Sequence, residues 1–119
     1  MNIADFPNVI TGLPEADIPI AGVRGWIMSS EGRQVIFFDI DPIGTIPEHS
    51  HEEQWGIVIE GEVQLTIGGV VHTFTRGDSY HIPAGVPHSA TFVSHFRAID
   101  VFANPNRYLP RQPERAAYE

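Results

Sequence analysis

Apolar and polar residues alternate along much of this chain with a period of two. In Glu62-Val63-Gln64-Leu65-Thr66-Ile67 the alternation is strict, which marks a strand with one packed face and one wet face. Gly68-Gly69 follows, then Val70 to Thr75. A Gly-Gly pair between apolar runs predicts a hairpin, because glycine supplies the positive φ that such turns need. Further strands are predicted at Val23–Ser29, Gln34–Ile40, Trp55–Ile67, Ser79–Pro83, Ala90–Val93 and Phe96–Phe102. The run Gln34–Ile40 (QVIFFDI) is dense enough in β-branched and aromatic residues for a strand buried on both faces. Asp41-Pro42 and Gly44 end it, and Pro83-Ala84-Gly85 reads as a tight turn. No segment before the tail shows a helical stripe. Residues 1–22, broken by Pro7, Gly12, Pro14, Pro19 and Gly22, read as an arm with one short strand at most. Residues 23–103 read as one all-β barrel or sandwich. Residues 104–119 are a polar tail with room for a helical turn near Pro113 to Ala117.

Composition narrows the chemistry. The 119 residues suffice for one core. The net charge of −8 argues against nucleic acid and against an anionic membrane surface as partners. All 7 basic residues are arginine, so Schiff-base lysines, Ser-Lys pairs and a P-loop lysine are excluded. There is no cysteine, which excludes disulfides, thiol nucleophiles and thiolate-bound metals. Any metal must therefore be held by nitrogen and oxygen. No Gly-x-Ser-x-Gly elbow is present, and Gly77-Asp78-Ser79 opens a short strand instead. The first ten residues lack the basic and apolar regions of a secretory signal, so the expected location is the cytoplasm.

Six histidines remain: His49, His51, His72, His81, His88 and His95. In an extended segment, His49 and His51 place both rings on one face and make half a metal site. His72 and His95 read as solvated strand or turn residues, and His81 reads as a residue that can line the lumen.

The spacing around these histidines carries a resemblance. Gly44-x4-His49-x-His51-x2-Gln54-x6-Gly61 is followed by Gly77-x5-Pro83-x-Gly85-x2-His88. Together they resemble the two motifs of the cupin superfamily, in the family's order. The resemblance spans Gly44 to Phe92 and implies a jelly-roll barrel, the double-stranded β-helix, with a metal in its lumen. The implied ligands are His49, His51, Gln54 and His88. Gln54 stands where the family has glutamate, with Glu52 and Glu53 as alternatives, and Phe92 stands where the second motif has asparagine. A neutral amide in place of a carboxylate leaves the ion its full charge. That lowers affinity but makes a better Lewis acid and a better host for an anion. Three imidazoles and an amide oxygen suit a divalent Ni, Fe, Mn, Co or Zn ion. A small-molecule ligand and a homodimer are also implied, the latter with residues 1–22 exchanged between subunits as an edge strand.

A narrower resemblance concerns function. Gln54 and the segment Asp100-Val101-Phe102-Ala103-Asn104-Pro105-Asn106-Arg107-Tyr108-Leu109 are similar to the cupins that ketonise 4,5-unsaturated uronates in pectin and alginate breakdown. This implies Asp100 as the proton-moving carboxylate, Arg107 as the group that holds the substrate carboxylate, and Phe102 as a wall of the site. His81 is the further candidate for substrate contact. Period two places Phe96, Ala98, Asp100 and Phe102 on one face, and a carboxylate on an apolar face is expected to bind its proton more tightly. The competing readings are an iron-dependent dioxygenase and a non-catalytic sugar-binding barrel.

Overall fold

The computed structural model describes residues 5–112, which form nine strands and one short helix. In chain order they are α1 (Asn8–Thr11), β1 (Val23–Ser30), β2 (Arg33–Ile40), β3 (Gly44–His49), β4 (Gln54–Glu60), β5 (Glu62–Ile67), β6 (Val70–Thr75), β7 (Ser79–Ile82), β8 (His88–Phe92) and β9 (Phe96–Phe102). Two antiparallel sheets face each other, ordered β1-β2-β9-β4-β7 and β3-β8-β5-β6. The all-β expectation holds, and the Gly68-Gly69 hairpin joins β5 to β6, both glycines at positive φ. The helical turn expected near Pro113 lies outside the described residues.

Two strands depart from the pattern. The run Trp55–Ile67 is not continuous, since β4 belongs to one sheet and β5 to the other. Gly61 makes the crossing at φ +83°, and a Cβ there would stand 2.0 Å from the carbonyl oxygen of His95. No side chain fits that passage. Strand β3 has no hydrophobic signature because it contains Pro47 and is largely exposed. It pairs with β8 at Gly44–Ile46 and again at His49, with an irregularity between.

The packed faces follow the alternation. Val63 and Leu65 of β5 and Phe96, Ala98, Asp100 and Phe102 of β9 are buried. In β2 the inward residues are buried while Val35 and Phe37 are half-buried on the outer face, so that strand is covered on one side more fully than on the other. The arm lies against its own barrel. The amide of Ala16 donates to Gly25 O (2.8 Å) and that of Ile27 to Pro14 O (2.8 Å), while Asp17 and Arg111 tie the arm to the tail through Leu109 O and Glu15 O.

Register arranges the lumen in rows. On the five-stranded sheet, one inward row is Gln34–Phe102–Gln54–Ile82 and the next is Ile36–Asp100–Gly56–Tyr80. Beyond them come Phe38–Ala98–Val58 and then Val23–Ile40–Phe96. On the opposite sheet the rows are His49–His88–Ile67, Ile46–Ala90–Leu65 and Gly44–Phe92–Val63.

Candidate active site

A cavity of about 390 Å³ lies between the sheets, with His49, His51, Gln54, His88, Asp100 and Arg107 in its wall. One nitrogen from each of the three imidazoles lies within 4.8 Å of the other two. Backbone carbonyls fix their tautomers. Nδ1 of His49 contacts Pro47 O (2.8 Å), Nδ1 of His51 contacts Glu52 O (2.7 Å), and Nδ1 of His88 contacts Val86 O (2.9 Å). A carbonyl only accepts, so each Nδ1 carries the proton and each Nε2 presents a lone pair. Nε2 of His51 and Nε2 of His88 are 3.1 Å apart. Two lone pairs at that distance repel unless a cation lies between them. The separation is that of two imidazole nitrogens each ~2.1 Å from one ion. Burial pushes the His51 and His88 imidazoles below the usual histidine value, which favours the neutral, ligating form. The donor set therefore fits a divalent transition metal.

Gln54 lines the same cavity, and its neighbours orient its amide. Its Nε2 donates to Asp100 Oδ2 at 2.6 Å, which leaves Oε1 as the atom able to ligate. Asp100 is fully buried, and desolvation raises its carboxyl to about pH 7, against the lowering effect of the Gln54 and Tyr80 hydrogen bonds. The Tyr80 hydroxyl donates to it, 3.0 Å from Oδ1 and 2.9 Å from Oδ2. Burial raises Tyr80 well above the usual phenol value, so it stays a donor at neutral pH.

Gly56 makes this contact possible. It stands between Tyr80 and Asp100 in their row, and a Cβ there would lie 2.4 Å from the Tyr80 ring. The tyrosine therefore lies across a position that must have no side chain. Gly56→Ala is expected to displace Tyr80 from Asp100 and to cost about 2 kcal/mol of stability. A urea denaturation midpoint measures that cost.

Arg107 reaches the cavity from the tail. Its guanidinium carbon stands 4.8 Å from the Tyr108 ring centroid and 5.6 Å from that of Phe102. Its Nε is 3.7 Å from Glu52 Oε1, and both atoms are buried with no hydrogen-bond partner among the described residues. The tail segment is held by Gln34, which is almost fully buried in β2. Gln34 Nε2 donates to Pro105 O (2.9 Å) and Tyr108 O (3.0 Å), and its Oε1 accepts from the Tyr108 amide (2.9 Å). Gln34→Leu is expected to release Arg107 and to destabilise the fold by about 2–3 kcal/mol. It should also weaken binding of anions in the cavity, which calorimetry would read.

The cavity brings together seven of the eight residues singled out from the sequence; His81 lies elsewhere. The alternation of β7 turns Tyr80 and Ile82 inward and His81 outward, where its Nε2 meets Glu53 Oε2 at 2.6 Å. The expected lumen role of His81 is corrected accordingly. Tyr80, Gly56 and Gln34 are the neighbours that motif reading missed, although the period of two in β7 already turns Tyr80 and His81 to opposite faces. Glu52 and Glu53 do not line the cavity: Glu52 is turned to Asn104 and Arg107, and Glu53 to His81. His72 is exposed on β6 beside Phe74, as expected. His95 is half-buried and bonded to Asp39, so it is a paired residue and not a solvated one. Asp39, Asp41 and His95 also cluster, but Arg24 already bonds Asp39 (3.2 Å) and Asp41 (2.8 Å). That cluster is an ion-pair network on the outside of the barrel.

A two-sheet barrel with three histidines and a buried acid in its lumen defines the class of small jelly-roll barrels. The cupin-domain family model matches residues 36–102, more than half of the chain, and the chain belongs to the cupin family. Among characterised proteins, the H2HPP isomerase of Bacillus subtilis is 34% identical over 71 residues, covering 58% of this chain and 30% of that protein. The chain thus spans about a third of that relative's length. Two solved structures share the fold. KdgF from Halomonas sp. has a TM-score of 0.68 and 22% identity, covering 77% of this chain and 88% of that one. An RmlC-like cupin from Shewanella frigidimarina has a TM-score of 0.70 and 24% identity, covering 90% and 94%. Among the described residues, no helix is long and apolar enough to cross a membrane.

Proposed function

We propose that this cupin is a metal-dependent isomerase that moves a proton within a small carboxylate substrate. The observation that carries this reading is Asp100, a buried carboxyl raised to about pH 7 in the same lumen as three Nε2 lone pairs. The likeness to an isomerase among characterised relatives supports the reaction type. Unsaturated uronates are one substrate class within it, supported by Gln54, the Asp100-Val101-Phe102 segment and the likeness to KdgF.

His49, His51, His88 and the Gln54 oxygen would hold the ion. Bound there, it supplies Lewis-acid stabilisation of the charge that develops on a substrate oxygen. The protein's own residues do the rest. Arg107 fixes the substrate carboxylate, since its guanidinium reaches the cavity and its Nε, 3.7 Å from Glu52 Oε1, makes no hydrogen bond. Phe102 and Tyr108 wall that position. Asp100 takes the proton from one carbon and returns it to another. Burial raises this carboxyl to about 7 in the metal-free protein and a bound cation would lower it from there, so at neutral pH it starts as the base and, once protonated, is the acid that returns the proton. Of its oxygens, Oδ2 accepts from Gln54 and stands nearer the single Tyr80 hydroxyl proton, while Oδ1 has no donor but that shared hydroxyl, which leaves Oδ1 to carry the proton. Tyr80 keeps the carboxyl turned into the lumen.

The test is turnover by metal-loaded protein of a panel of enolisable carboxylates, 4,5-unsaturated uronates among them, followed by ultraviolet absorbance. The expected result is conversion that a chelator abolishes. Oxygen uptake by an iron-loaded form, or stoichiometric metal with no turnover of any member, would overturn the reading.

A further inference from the structure

The cavity is chemically two-ended. Its polar side chains belong to the rows at one end of the barrel: His49 and His88 on one sheet, Gln54, Asp100 and Tyr80 on the other. The next rows, roughly 7 Å further in per row, carry none. On one sheet they are Ile46–Ala90–Leu65 and Phe92–Val63; on the other, Phe38–Ala98 and Ile40–Phe96. The cavity reaches these residues: Val63, Leu65, Phe92, Phe96 and Ile40 all stand in its wall. The rings of Phe92 and Phe96 meet there at 5.1 Å between centroids, bridging the two sheets. Ile18 and Ile20 of the arm extend the apolar lining.

We infer that the ligand is an amphiphilic carboxylate, with an unhydroxylated alkyl or aryl body in the apolar end and its carboxylate at Arg107. This rests on the isomerase reading for the role of the polar end, and it narrows the substrate class. A hexuronate carries several ring hydroxyls beyond its carboxylate. In the inner rows those hydroxyls would meet only aliphatic and aromatic carbon, and a buried hydroxyl without a partner is strongly disfavoured. At the polar end Ser50, Arg107 and Tyr108 also line the cavity, but most of the other donors are already committed. Tyr80 donates to Asp100, Gln54 Nε2 donates to Asp100, and each imidazole Nδ1 is bonded to a carbonyl. An aryl ring meets the opposite situation, since it removes apolar surface from water on every side.

The experiment is calorimetry on the metal-loaded full chain with two probes, 3-phenylpropanoate and D-galacturonate. The expected result is that the aryl carboxylate binds roughly tenfold or more tighter. Val63→Phe, which fills the apolar end, should remove that binding while the metal content stays unchanged. Val63→Thr conserves shape but adds a hydroxyl, and should narrow the preference; it keeps the test intact if the larger substitution fails to fold. Galacturonate binding as tightly as the aryl probe, or aryl binding indifferent to both substitutions, would overturn the inference. Binding is read without turnover. A failure of the isomerase reading shows instead as absent metal or absent proton transfer, and the two failures are distinguishable.

Discussion

His88→Ala is expected to lower affinity for a divalent metal by about a hundredfold or more, with His49→Ala and His51→Ala close behind. His88 is the most buried of the three, and its Nε2 faces that of His51 at 3.1 Å. Removing it takes away one of three aligned lone pairs and leaves a void in the lumen. Gln54→Ala should cost about tenfold, since a neutral oxygen contributes less than an imidazole. Gln54→Glu should do the reverse: its negative charge tightens metal binding and, beside Asp100, drives that carboxyl further toward its protonated form. Calorimetric titration of the metal-stripped protein measures all five. The pH dependence follows from the histidines. His51 and His88 titrate below 6.5, so affinity is steady above that value and falls as pH drops below it, where protons compete for Nε2.

Asp100→Asn gives the second large effect, in two readouts. Proton transfer should fall by about 10²–10⁴-fold, because the amide neither accepts nor delivers the proton. Stability of the metal-free protein should move the other way. Asp100 titrates at 3.8 when unfolded and near 7 when folded, so its neutral form is the one the fold accommodates. Its contribution is complete below about pH 4 and is lost as pH rises through 7, by about 4 kcal/mol in all. The amide that replaces it has no such titration. The stability advantage of the native metal-free protein attributable to Asp100, read as its difference from the variant in guanidinium titrations, should therefore shrink between about pH 4 and 8, while the His51 and His88 contributions common to both proteins cancel. A bound divalent cation should flatten the native curve, since it favours the carboxylate.

Much of this was legible in the residues. The strict alternation of Glu62–Ile67 and the Gly68-Gly69 turn marked β5 and β6 with their faces, and the period of two in β9 placed Asp100 and Phe102 inward together. The resemblance to the cupin motifs grouped three histidines that do meet, although His88 lies far along the chain from His49 and His51. Other features could not be read from local pattern. Strand β3 is exposed and contains Pro47, so tertiary pairing with β8 defines it where hydrophobicity does not. The break at Gly61 depends on the backbone of His95, a contact remote in sequence. Gln34 looked like one polar residue in an apolar strand. Its role emerges only when the tail folds back onto it. His81, two residues before Pro83, reads as able to line the lumen, whereas the alternation of β7 gives that side to Tyr80.

Solvent exchange tests the central claim most directly. Metal-loaded protein is incubated in D₂O with an enolisable 2-oxo carboxylate, and proton NMR follows the hydrogens on the carbon beside the carbonyl. The account predicts their replacement by deuterium, abolished by a chelator and slowed about a hundredfold or more by Asp100→Asn. Exchange that proceeds equally well in the Asp100→Asn protein or after removal of the metal, or no exchange at all in the loaded native protein, would contradict it.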